Sequence, residues 1–319
     1  MHTDLLPMNA ASLMDRVFTL YAATIKTQIA FSLIIGTISF ILMMALGIFM
    51  AFGVLGAAVG AGGYLDDRYL LIAILVIVIG IMPLYMIWVY LSASGHILIS
   101  KQAFYGEPHD LPFREVLQAF LRIMSAALAQ LLLSVPWLLI LFAIIYSALA
   151  GRDVLYFDIL FFVDTIHPAV IVVAGLVYTL FYVVYSNIFA LSIPVALFEK
   201  RVFLGTVTRS FQLLKGDFWR ILGLRILWTL LVYLFSYSAQ GLVMAVTAAV
   251  AAFAGAAIDM GHLMAATAPL QFYASLFVGI LVGPMEGIMT ALIYFNQKIK
   301  QDGLDIGIML SRLARGSAF

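Results

Sequence analysis

The sequence predicts an all-α polytopic membrane protein, with six transmembrane helices forming three hairpins, each preceded by an amphipathic interfacial helix. Three observations lead there. First, 65% of the 319 residues are hydrophobic and 10% are charged. A soluble domain carries about 45–50% apolar and about 25% charged residues, so this much apolar surface needs lipid to cover it. Second, six stretches reach the roughly 20 apolar residues that a crossing requires. Third, 15 of the 17 Lys and Arg residues fall on one side of those stretches and two on the other, the asymmetry that orients membrane helices.

Taken in order, the spans are Ile29–Val54, Tyr69–Ile99, Met124–Ala150, Ala169–Phe198, Phe218–Phe253 and Leu270–Gln297. The fifth is long enough to tilt or extend past the bilayer. Arg68 and Arg152 are the two basic residues on the minority side, where Asp66, Asp67, Asp153, Asp158, Asp164 and Asp259 also lie. The charge bias places both termini on the cytoplasmic side. Asp4, Asp15, Arg16 and Lys26 interrupt the N-terminal region, which does not read as a cleaved signal peptide.

Before each odd-numbered span, apolar residues recur at helical spacing. Leu13, Val17 and Tyr21 with Met14, Phe18 and Ile25 make one apolar face, and Ser12 with Asp15 resembles a capping box. Phe113, Val116, Leu117, Phe120 and Met124 follow Asp110 and Pro112, and Phe203, Leu204, Val207, Phe211 and Leu214 repeat the pattern. The whole of 1–319 reads as a single integral membrane domain. Its repeat-like units span 9–101, 110–199 and 202–299, followed by a cytoplasmic tail at 300–319.

The segment Ser12-Leu13-Met14-Asp15-Arg16-Val17-Phe18-Thr19-Leu20-Tyr21 resembles the opening of a bacterial membrane-domain family named after the membrane portion of some glycerophosphodiester phosphodiesterases. Arg209-Ser210-Phe211-Gln212-Leu213-Leu214-Lys215-Gly216-Asp217-Phe218-Trp219-Arg220 is similar too. So is the ending Thr290-Ala291-Leu292-Ile293-Tyr294-Phe295 with Asp302-Gly303-Leu304-Asp305. Phe295 and Asn296 stand where the family commonly carries a Tyr-Tyr-Asp-like run. The resemblance implies a location in the bacterial cytoplasmic (inner) membrane. Six spans leave no room for the catalytic barrel of about 250 residues, so it implies no hydrolase activity.

Several residues are candidates for function. Ser275, Gly279, Gly283, Gly287 and Ala291 recur every four residues in the last span, a face that lets another helix approach closely. Glu286 sits beside it at mid-depth, where an ionisable group needs a partner. Pro284 frees a carbonyl nearby, and Arg225 in the fifth span is the expected partner. Two readings stand for Glu286: an ion or proton site, or a structural pair. Polar seams run along the second span (Tyr85, Ser92, His96), the fourth (Tyr178, Tyr182, Tyr185) and the fifth (Tyr233, Ser236, Tyr237, Gln240). They suit either a hydrated or headgroup-lined groove or ordinary interhelical bonding. Lys200, Arg201, Arg209, Lys215 and Arg220 are candidate contacts for anionic headgroups.

The exclusions are equally plain. A net charge of +1 gives no reason to expect nucleic acid, and the absence of cysteine rules out disulfides and thiolate sites. His96 and His109 lack the further ligands of a metal centre. The glycines at 53, 56, 60, 62 and 63 follow no strand and lack the lysine of a phosphate loop. No cofactor and no catalytic constellation is expected. The expected partners are membrane lipids and other membrane-protein subunits or further copies of the chain. The function expected is that of a non-enzymatic scaffold or subunit of an envelope assembly, or of a membrane-homeostasis factor. The alternative is a transporter or lipid-handling protein with a polar pathway near Glu286.

Overall fold

A computed structural model describes residues 8–60, 82–108, 110–150, 168–253 and 260–303. Among them the chain is helical throughout, with no strand. The helices are α1 (Ala10–Gly60), α2 (Met82–Tyr105), α3 (Phe113–Ala150), α4 (Pro168–Ile188), α5 (Ser192–Phe198), α6 (Leu204–Leu214), α7 (Phe218–Phe253) and α8 (Met260–Asp302). Five segments are long and apolar enough to cross a membrane: Ala10–Leu42, Phe113–Trp137, Val177–Phe198, Phe218–Val250 and Ala274–Asp302. Much of the second expected span, the glycine run beyond Gly60, His109 and most of the tail lie outside the described residues.

The helix ends reflect local chemistry. Asn9, and not Ser12, caps α1: its side-chain oxygen accepts the Ser12 N–H at 2.7 Å, three residues into the helix. The Ser12 hydroxyl is itself donated back to the Asn9 carbonyl. The first two expected interfacial helices run unbroken into the apolar segments on their C-terminal side. The first glycine of α1 is Gly36, and no glycine or proline interrupts α3 before Pro136, so neither helix has a reason to stop. Only α6 stands apart. Lys215 is extended and Gly216 adopts φ +108°, a conformation that side chains with a Cβ rarely take.

The apolar faces are also redistributed. In α1 the buried line is Leu13, Val17, Leu20, Thr24, Gln28 and Phe31, while Phe18 and Ile25 are exposed. In α3 it is Val116, Ala119 and Ile123, with Leu117 and Leu121 exposed. In α6 Val207 and Leu214 are buried, while Leu204, Phe211 and Phe203, just before the helix, are exposed. Apolar residues occur on both sides of each helix, so periodicity alone did not identify the packed side.

The chain divides into two compact units, 1–120 with 227–319, and 121–226. In the first, α1 and α8, from opposite ends of the chain, pack with α2. In this first unit Asn296 accepts the Met8 N–H at 2.8 Å and donates its amide to the Met8 carbonyl at 3.4 Å. A carboxamide can do both at once; a carboxylate cannot donate. The Phe295 ring stacks on Phe104 at 4.6 Å and meets Tyr105 edge-on at 5.9 Å. Burial, with Glu107 adding to it, pushes the Tyr105 phenol above its usual value.

In the second unit the break between α4 and α5 exposes backbone groups that need partners. Ser210 of α6 supplies them: its hydroxyl donates to the Ile188 carbonyl at 2.7 Å and accepts the Leu191 N–H at 3.1 Å. Pro194 sits in the first turn of α5, where a missing N–H costs little. Gln130 bonds to Ser192, and Tyr185 donates to the Leu133 carbonyl, joining α3 to this corner.

Candidate functional site

His96 lies at the centre of the first unit, 3% exposed. It belongs to the polar seam of α2, where Ser92, His96 and Ser100 succeed one another at four-residue spacing. Across from it, Gln28 and Ser32 of α1 keep the same spacing. Side chains four apart share a helix face, so the two seams interlock.

The bonding is dense. The His96 Nδ1 is 2.6 Å from the Gln28 side-chain oxygen. That oxygen carries no proton, so Nδ1 donates. In the neutral ring Nε2 is then the acceptor, and the Ser32 and Ser92 hydroxyls each stand 3.3 Å from it. The Gln28 amide nitrogen donates to the His96 carbonyl at 3.4 Å and to the Ser100 hydroxyl at 3.5 Å. Ser100 donates to the same carbonyl at 2.6 Å. The ring of Phe31 meets the imidazole edge-on at 5.4 Å. Gly95 makes room for Phe31: a Cβ there would come within 2.0 Å of the ring.

The third wall is α8. A Cβ at Gly287 would stand 2.4 Å from the Cβ of His96, so glycine is what permits this approach. Ala291, one turn on, is fully buried. The other end of the stripe behaves differently. Ser275, Gly279 and Gly283 are exposed, and nothing lies within 4 Å of a Cβ built at either glycine. Glu286 is exposed on the same line. Gln240 of α7 reaches this line, donating to the Ser275 hydroxyl at 3.2 Å. Tyr21 donates to the Leu281 carbonyl at 2.7 Å, one residue beyond the carbonyl that Pro284 leaves without its helical partner.

The remaining sequence candidates separate. Arg225 takes Asn187 of α4 as a partner at 3.3 Å, and the Asn187 amide donates to the Phe218 carbonyl. Tyr182 and Tyr237 are exposed, each stacked on the tyrosine four residues before it. Arg209 donates through Nε to both oxygens of Glu199, at 3.3 and 3.0 Å, and is only 15% exposed. Lys200, Arg201, Lys215 and Arg220 are more exposed. The side chain of Tyr85 lies outside the described residues.

Sequence reasoning placed His96 in a polar seam but missed Gln28, Ser32 and Ser100. The signal was present: two polar lines at identical four-residue spacing, each within a mainly apolar helix. Comparison of the chain with protein families, with characterised proteins and with solved structures found no match.

Proposed function

We propose that this chain is a non-enzymatic integral membrane protein of six spans, acting as a scaffold or subunit of an envelope assembly or in membrane homeostasis. In this reading it resides in the bacterial cytoplasmic membrane with both termini inside, oriented by the excess of basic residues on that side. The observation that carries it is the open line on α8. Ser275, Gly279, Gly283 and Glu286 keep helical spacing along one exposed face, while Gly287 and Ala291 of the same stripe are already packed. A carboxylate facing hydrocarbon costs about 2.5–3.5 kcal/mol on insertion scales. A second transmembrane helix lying in the glycine groove would cover the acid and gain close backbone contact. A transporter or lipid-handling role is the second reading, favoured by the Gln240–Ser275 bond on the same line as Glu286.

The chain has no cysteine, so single cysteines test this directly. Oxidative crosslinking in membranes should trap Gly283→Cys with a second chain, and should not trap Leu230→Cys on α7. Glu286→Gln should weaken the assembly far more than Asp302→Asn, because Asp302 already pairs with Lys298 at 3.0 Å. A protein that purifies as a monomer in nanodiscs, with no partner captured through Gly283→Cys, would sink the scaffold reading.

A further inference from the structure

The surface around α6 has a character that its packing in the second unit does not use. The buried side of this helix is Thr206, Val207, Ser210, Leu213 and Leu214. On the opposite side Leu204, Thr208, Phe211 and Lys215 succeed one another at helical spacing, all exposed. Phe211 is 48% exposed and Trp219, at the start of α7, 74%. An amphipathic helix with one side packed needs no apolar residues on the other; here they occur beside lysine and arginine.

The loop that leads into α6 adds to this surface. Lys200 and Phe203 have φ of +55° and +50°, a region that bulky residues enter only at a cost of about 1–3 kcal/mol. The Phe203 N–H is fixed on the Ser125 hydroxyl at 3.1 Å. The bent loop leaves Lys200, Arg201 and Val202 exposed. Between Glu199 and Arg220 five basic residues stand against two acidic ones, and Glu199 holds Arg209 and touches Arg201 at 3.4 Å. Three residues separate α6 from Phe218–Val250, which is apolar and long enough to cross a bilayer. The exposed side of α6 is therefore tethered at the edge of that segment.

We infer that the exposed side of α6, with the loop before it, is a docking surface for an anionic phospholipid leaflet. Leu204, Phe211 and Val202 enter the headgroup–acyl boundary, Trp219 anchors at the interface, and Lys200, Arg201 and Lys215 meet the phosphates. Apolar residues with basic neighbours are the pattern of helices that lie in the interface plane, and tryptophan prefers that depth. Each Lys or Arg held near an anionic leaflet is worth roughly fivefold in partitioning. Removing three lowers the preference on the order of 100-fold.

The test places an environment-sensitive fluorophore on Phe211→Cys in the full chain. The protein is reconstituted in vesicles of phosphatidylcholine or of equal parts phosphatidylcholine and phosphatidylglycerol. Expected is a blue-shifted emission, quenched by spin labels near the headgroup, in the anionic vesicles. K200Q/R201Q/K215Q should lose the difference between the two lipids while keeping the helix content and unfolding midpoint of the starting chain. Water-like emission in both vesicles would overturn the inference, as would identical quenching in the triple variant. So would protection of Phe211→Cys seen only in native membranes, which would assign the surface to a protein partner.

Discussion

Two glycines four residues apart on α8 should respond oppositely to the same substitution. At Gly287 an added Cβ would lie 2.4 Å from the Cβ of His96, and 3.4 and 3.5 Å from its carbonyl carbon and Cα. Carbon atoms rest at about 3.5–4.0 Å, so about 1 Å must be opened. His96 cannot turn away, because the clash is with its Cβ and backbone, and its ring is tied to Gln28, Ser32 and Ser92. The helices α2 and α8 must part instead. Overpacking of this kind costs about 1–3 kcal/mol. At Gly283 nothing in the same chain lies within 4 Å of the added carbon, so in the monomeric chain, where no second helix fills the groove, Gly283→Ala feels only the gain in helix propensity, about 0.5–1 kcal/mol. That gain is common to both variants, and the difference between them isolates the steric cost. Gly287→Ala is therefore expected to unfold about 1–3 kcal/mol more easily than Gly283→Ala, measured by denaturant titration of each purified chain in mixed micelles. Equal midpoints for the two variants would refute the packing argument. A Gly283→Ala chain that is the less stable of the two would refute it as well.

The bonding of each unit sets two further outcomes. Gln28→Leu and His96→Leu each strand a buried partner at a cost of about 1–3 kcal/mol. The double variant should cost less than the two added together, by a similar amount, in the same unfolding assay; strict additivity would mean that the 2.6 Å contact carries no coupling. In the second unit Glu199→Gln removes the negative charge facing the guanidinium of Arg209 and should cost about 2 kcal/mol, below the roughly 3–5 kcal/mol of a fully buried pair. Arg201→Gln should cost under about 1 kcal/mol, since Arg201 is 47% exposed. Reversal of that order would remove the assigned role of the Glu199–Arg209 pair.

What could be read from the chain alone was its material. Composition and the length of the apolar runs dictate helices, because a backbone in lipid must satisfy its own hydrogen bonds. Local chemistry placed several ends: Pro112 before α3, and Gly216 between α6 and α7. The faces were another matter. Phe18 and Val17, or Phe211 and Leu214, are equally apolar, yet one of each pair is exposed and the other buried. Lipid and protein interior are alike in polarity, so hydrophobicity does not distinguish the two sides of a membrane helix.

The open glycines of α8 show the same division. Their four-residue spacing marks a face for close packing, and that much is in the sequence. Which part of the face is occupied is not, since it depends on where α2 brings His96. Likewise the seam of His96 was visible on its own helix, but its partners Gln28 and Ser32 stand more than sixty residues away. By itself the sequence determined helical class, apolar length and the distribution of charge, each a property of neighbouring residues. Only the tertiary structure decided which stripe meets which, because that choice rests on polar groups and glycines that find each other across the fold.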